Sequence, residues 1–168
     1  ARTIAEEMGK SLKRTIIVNN KPGAATNIAA DYVAKSRDYG NIMFTADFAT
    51  LAANPALFAK LPYDAERDFV PVGMLARFPL LLVVHPSNPA NNLKEFVDYI
   101  QRNQDKVSEA HAGVGSEIHA ACTLLQSVIN TKTARVAYRG GAPAINDLVA
   151  GQVDFGCTVL GTVAPQVQ

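Results

Sequence analysis

The sequence has no apolar run long enough to cross a membrane. The longest, residues 79–84, is strand-sized, against the ~20 residues that a spanning helix needs. An excess of either charge is also missing. Sixteen Lys and Arg stand against fifteen Asp and Glu, for a formal net charge of +1. That balance excludes the basic stripe by which a nucleic-acid-binding protein grips a phosphate backbone. No basic head leads into an apolar stretch at the start, where residues 1–13 read as an amphipathic helix. Composition by itself leaves the compartment open. Cysteine is scarce: Cys122 and Cys157 match no metal spacing and read as two buried free thiols. A disulfide requires the helix that carries one to meet the strand that carries the other. There is no internal repeat.

What is present is a globular composition: 48% of 168 residues are hydrophobic, enough to build one real core or two small lobes. Apolar periodicity divides the chain into alternating strands and helices. Helices are expected over residues 1–13 (Ile4, Ala5, Met8 and Leu12 inward), after Thr26 (Ile28, Ala29, Tyr32 and Val33 inward), and after Asn92, whose capping box with Glu95 precedes Leu93, Phe96, Val97 and Ile100. A further helix follows Ser116, burying Ile118, Ala121, Cys122, Leu125, Val128 and Ile129. The last spans residues 142–150 with Ile145, Leu148 and Val149 on one face, stopped by Gly151. Strands are expected at residues 15–18, 42–45, 70–75, 80–84, 107–110, 134–136 and 153–157. Residues 46–55 read as a loop or loose helix, 61–68 as an irregular crossing, and 37–40 as a polar turn. Alternation of this kind predicts an α/β fold with a largely parallel sheet.

Three glycine-bearing loops fall where a strand should feed a helix: residues 20–26, 111–116 and 138–142. Such loops bring free N–H groups and the positive end of a helix to the carboxyl edge of a sheet, which suits an anion. Ser116 can cap its helix and also bond an acid oxygen. Arg139 can pair with a carboxylate, or lie solvated beside a turn. Asp47 reads first as a residue that shapes its own loop. The histidines carry no catalytic pattern. His111 and His119 flank the 113–116 loop without a third ligand at metal spacing. His85 stands at a strand end before a proline. Ser116 lies near His119, but Gly-Val-Gly-Ser-Glu is not a nucleophile elbow, a dinucleotide fingerprint or a P-loop. A hydrolase using Ser116 and His119 is thus the weaker reading beside a binding protein that needs no cofactor and no metal.

The motifs also occur in a telling order. Asn20-Lys21-Pro22-Gly23-Ala24 is followed by Asn54-Pro55-Ala56-Leu57-Phe58, Leu61-Pro62-Tyr63-Asp64 and Asp68-Phe69-Val70-Pro71-Val72. Then come Ala112-Gly113-Val114-Gly115-Ser116, Tyr138-Arg139-Gly140-Gly141-Ala142-Pro143-Ala144 and Asp147-Leu148-Val149-Ala150-Gly151-Gln152-Val153-Asp154. This resembles the extracytoplasmic solute receptors of tripartite tricarboxylate transporters, the Bug-type receptors, over essentially the whole chain. The resemblance implies a two-lobed periplasmic binding protein of type II-like α/β architecture, with mostly parallel sheets and helices on both faces. It closes like a flytrap on a small carboxylate and delivers it to a membrane permease. It implies a monomer with no nucleic acid and no membrane insertion of its own; a sensor or adaptor of the same fold is the neighbouring alternative. Residues 1–104 would belong to the first lobe and 105–168 to the second. The family's first strand with its glycine loop, and its C-terminal segment, would lie outside the stretch read here. By similarity, Gly23, Ala24, Ala25 and Thr26 line the ligand with Asp47, Phe48, Ala49 and Thr50. Gly113, Gly115, Ser116, Arg139, Gly140, Gly141, Ala142 and Thr158 line it from the second lobe. Three departures stand out. Thr26 replaces a common glycine, Arg37-Asp38-Tyr39-Gly40 replaces Pro-Asp-Gly-Tyr, and Cys157-Thr158 replaces an aromatic residue and an aspartate.

Overall fold

The computed structural model describes residues 1–38 and 40–166, so Tyr39 of the polar turn and the last two residues lie outside it. The described chain forms two compact units, Ala1–Pro71 and a second from Val72 onward. Residues 72–104, expected in the first lobe, pack here with the second unit.

The first unit holds helices α1 (Arg2–Leu12) and α2 (Asn27–Ala34). A π-helical turn (Ala49–Ala53) runs into a short α3 (Asn54–Leu57). The loose helix expected at 46–55 is this π-to-α segment, and residues 61–68 are irregular as read. The α1 face is only half-buried at Ile4, Ala5 and Met8, and Leu12 is exposed. Helix α2 turns a different face inward than its apolar residues suggest. Asn27 and Ala30 are buried, whereas Ile28 and Tyr32 are about half exposed. The reason is local: Asn27 is drawn into a buried hydrogen-bond network, and the helix rotates with it. The expected strands at 15–18, 42–45 and 70–75 take no ladder, because none finds a partner strand among the described residues. Burial still alternates across 42–46, as in a one-sided strand. The buried heart of this unit is partly polar: Ala30, Ala49 and Tyr63 with Asn27, Thr50 and Asn54. Phe69 packs on Tyr63 and Phe44, with ring centroids 5.7 and 5.5 Å away.

The second unit is a four-stranded sheet with helices on both faces. In chain order it runs β1 (Leu80–Val84), α4 (Leu93–Asn103), β2 (Ser108–His111), α5 (Glu117–Val128), β3 (Ala134–Ala137), α6 (Gly141–Val149), β4 (Phe155–Val159) and the short α7 (Leu160–Val163). The spatial order is β1-β4-β2-β3. Strands β4, β2 and β3 are parallel, and β1 lies antiparallel to β4 with Leu80 opposite Val159. A short helix thus follows the last strand, beyond the last helix that the apolar pattern predicts.

Strand β4 is central, so its Phe155, Gly156, Cys157 and Thr158 are all buried. Alternation sends them to opposite faces. Phe155 and Cys157 join Phe96, Ile100, Val107, Ile118 and Cys122 in one core. Ala110, Ala144, Ile145, Leu148 and Val153 form a second. Gly156 has to be glycine: a Cβ there would stand 2.9 Å from the Ala110 carbonyl oxygen. Cys122 and Cys157 are not free thiols. Helix α5 does meet β4, and the two form a disulfide with Cα atoms 5.7 Å apart.

The caps behave as read, with small shifts. The Asn92 side chain accepts from Glu95 N at 3.0 Å, while Glu95 returns its bond to Asn91 N, one residue before the cap. Gly151 (φ 69°) ends α6 with bonds from its own N–H to Leu148 O and from Gln152 N to Asp147 O. On the same helices Leu93, Val128 and Val149, expected inside, are exposed, and Gln126 takes an inner position instead.

Candidate functional site

In the second unit, the carboxyl ends of β2, β3 and β4 lie on one edge of the parallel part of the sheet. That edge carries the residues expected on the second-lobe side. The loop after β2 turns at Gly113 (φ 108°) and Gly115 (φ 88°) into α5. The loop after β3 turns at Gly140 (φ 119°, the N-cap) into α6. The two loops touch. Tyr138 N donates to His111 O at 2.8 Å, and a Cβ on Gly113 would lie 3.9 Å from Tyr138 O. Gly141 in turn lies against Thr162 of α7. Two helix N-termini therefore open on the same sheet edge, each with unspent N–H donors and a positive dipole end.

Ser116 is the N-cap of α5. Its Oγ accepts from His119 N (3.2 Å) and donates to the Gly113 carbonyl (2.8 Å). Both bonds are structural, and neither involves an imidazole. The His119 ring lies instead on His111, centroids 4.7 Å apart. Burial lowers the pKa of both histidines, and Arg135 adds to the effect; for His119 the neighbouring His111 contributes as well. The pairing needed for a serine nucleophile is not built. Arg139 is exposed and makes no ion pair among the described residues, so its guanidinium is free for an anion. Thr158 is 1% exposed at the end of β4, and its hydroxyl has no hydrogen-bond partner among the described residues.

Tyr138 was not foreseen as a support. Its hydroxyl donates to Asp147 Oδ2 at 2.7 Å, in the second turn of α6, and ties the glycine loop to the helix it feeds. Burial first, then the bond and charge of Asp147, raise the phenol's pKa.

The first unit has a loop set of its own. Gly23 (φ 119°) is followed by Ala24, Ala25 and Thr26 at φ 48°, 50° and 69°. Three consecutive non-glycine residues in the left-handed region cost about 1–2 kcal/mol each. Thr26 does not cap α2 as expected, since this backbone turns its side chain away from the helix end. Its hydroxyl lies 2.6 Å from that of Thr50. Thr50 donates to Asp47 Oδ1 (2.9 Å), and the Thr26 hydroxyl donates to the Ala25 carbonyl (2.6 Å). Asp47 also accepts from Thr50 N, which is the loop-shaping role expected of it. Phe48 is exposed, while Ala49 and Thr50 are buried behind it.

Behind this loop stand three residues that the sequence reading did not assign to the site. Asn54 donates to the Ala25 carbonyl (2.7 Å) and to Asn27 Oδ1 (2.8 Å). The Tyr63 hydroxyl lies 3.0 Å from both Asn27 Oδ1 and the Thr50 carbonyl. Asn54 and Tyr63 stand inside two of the ordered motifs, but nothing in those motifs says that they reach back to residue 25.

A family model described as the tripartite tricarboxylate transporter family receptor matches residues 1–168. A UPF0065 protein in the tcbD-tcbE intergenic region of Pseudomonas sp. (strain P51) is 35% identical over 155 residues, 92% of this chain and 46% of that protein. Protein BugT of Bordetella pertussis is 30% identical over 154 residues, 91% of this chain and 47% of that one. Among solved structures, MatC (Rpa3494) from Rhodopseudomonas palustris with bound malate aligns at TM-score 0.89 and 36% identity, over 98% of this chain and 56% of that one. R. palustris Rpa4515 with adipate aligns at 0.92 and 28%, over 98% and 55%. The chain spans about half the length of the relatives it matches.

Proposed function

The chain belongs to the tripartite tricarboxylate transporter receptor family, and on that premise we propose that it captures a small dicarboxylate or related organic acid in the periplasm for a membrane permease. The observation that carries the reading is the shared sheet edge of the second unit. There the Gly113–Gly115 and Gly140–Gly141 turns present two helix N-termini, with the unpaired Arg139 beside them. Donors of this kind recognise a carboxylate through its charge and its oxygen atoms and offer it no chemistry. Thr158 supplies a buried hydroxyl without a partner among the described residues. The first unit offers Gly23, Ala24, Ala25 and Thr26, with Asp47, Phe48, Ala49 and Thr50 at their back. Two related structures hold malate and adipate, which supports a short dicarboxylate as the ligand class. The Cys122–Cys157 disulfide fits an oxidising compartment.

The test is calorimetric titration of the protein with malate, adipate and citrate. Saturable binding of at least one acid is expected, without turnover. Arg139→Ala should weaken it about tenfold or more, the size of one charge-assisted contact. If no acid binds, or if Arg139→Ala binds as the parent does, this reading of the second-unit edge fails.

A further inference from the structure

We propose that Asn54, supported by Tyr63, is a positioning residue that holds residues 24–26 in the left-handed conformation from which their backbone would meet a ligand. The proposal rests on the reading of that loop as part of the acid site. Its own basis is separate and lies in the first unit.

Ala24, Ala25 and Thr26 all sit at positive φ with no glycine among them. Left to local preference, such a segment would spend most of its time in other conformations. Something has to select this one. Asn54 is completely buried, and both hydrogens of its amide are committed, one to the Ala25 carbonyl and one to Asn27 Oδ1. The first bond fixes the peptide that follows Ala25. The second fixes the first residue of α2. Asn54 therefore clamps the loop on both sides of Thr26. Tyr63 holds the clamp in turn, with its hydroxyl within 3.0 Å of Asn27 Oδ1 and of the Thr50 carbonyl. Thr50 stands four residues before Asn54 and, through its hydroxyl, meets Thr26 directly. Thr50 of the π-helical turn and Asn54 of α3 thus reach residues 25 and 26 directly, and Tyr63 braces them from the 61–68 crossing. Pro55 fixes the backbone immediately after Asn54.

The functional consequence is one of population. If the loop occupies the competent conformation only a tenth of the time, the apparent Kd rises about tenfold with every contact to the ligand unchanged. Asn54 would set affinity without touching the acid.

The experiment pairs Asn54→Ala with Ala25→Gly, since glycine adopts positive φ freely and should replace part of what the clamp supplies. Hydrogen exchange of residues 23–27 and the Kd for malate or adipate are measured on the parent, each single variant and the double variant. Asn54→Ala should speed exchange in 23–27 by about tenfold or more and raise Kd similarly. Amides of β2 and β4 should keep their protection. In that background Ala25→Gly should recover affinity to within about threefold of the parent, a rescue that a general packing defect would not show. Tyr63→Phe, which keeps the ring against Phe69, makes the same test should Asn54→Ala fail to fold; it should loosen 23–27 in the same direction. Unchanged exchange at 23–27 in both variants, or an Ala25→Gly substitution that restores nothing, overturns the proposal. If the parent binds neither acid, the functional reading falls, while the exchange data still decide the role of Asn54.

Discussion

Glu109 shows how much a single residue can hide. It lies on β2, where the sequence suggests only a weak strand, yet it is wholly buried. Gln126 of α5 donates to its Oε2, and Arg135 Nε on β3 lies 3.5 Å from the same atom. Burial holds its carboxyl above the ordinary 4.5; Arg135 and Gln126 pull it back only in part. The unfolded chain ionises this group near 4.5, so just above that pH the folded protein binds more protons than the unfolded one. Stability contributed at this site therefore falls as pH rises through the window between the two values. Glu109→Gln should equal or exceed the parent in stability at neutral pH, and should flatten that decline. Thermal unfolding between pH 4.5 and about pH 8 reads both effects. A large loss of Tm at neutral pH would mean that the attraction of Arg135 outweighs the cost of burial. Neither Glu109 nor Asn54 was legible in the sequence. A polar residue in a short strand or loop looks like a solvated face until its distant partner is known.

Elements with local chemistry were legible. Asn92 with Glu95, Ser116 and Gly151 mark helix ends by bonds that span three to five residues, and the structure places those ends within a residue of expectation. Strands are a different matter. Residues 15–18, 42–45 and 70–75 have the composition of strands, but a ladder belongs to two segments, and composition reports on one. The disulfide is likewise a relation between elements. It closes a loop of 35 residues, from α5 to β4. In the chain-entropy picture this is worth about 3–4 kcal/mol. Cys122→Ala with Cys157→Ala should lower the urea midpoint by a corresponding amount, and reductant should act on the parent only once it unfolds, because Cys122 is fully buried. Rapid reduction of the native protein by a mild thiol would show that α5 lifts off β4 far more easily than this packing allows.

At the scale of the whole molecule the two units differ in kind. The second has a sheet with an apolar core on either face, whereas the first buries a polar network and short helices. The α/β class was legible because helices and strands do alternate in the second unit. The boundary between the units was not, because β1 and α4 come before the residues they pack against. Residues 71–79 carry no regular structure, and Val72 and Met74 are among the most exposed apolar side chains. Brief chymotrypsin digestion should cut first in this stretch and leave a resistant fragment with all four strands and the disulfide, identifiable by mass. First cuts inside α4 to β4 would contradict this ranking of local stability.

The pairing of Leu80 with Val159 has a consequence for evolution and engineering alike. The chain comes into the sheet and departs from it at adjacent points, on neighbouring antiparallel strands. A module with coincident attachment points can be spliced into a host loop, or exchanged between relatives, without stretching the chain on either side. The glycine turns at the carboxyl edge of this sheet travel as one cassette, so on the proposed function a transplant would carry the acid-binding edge with it.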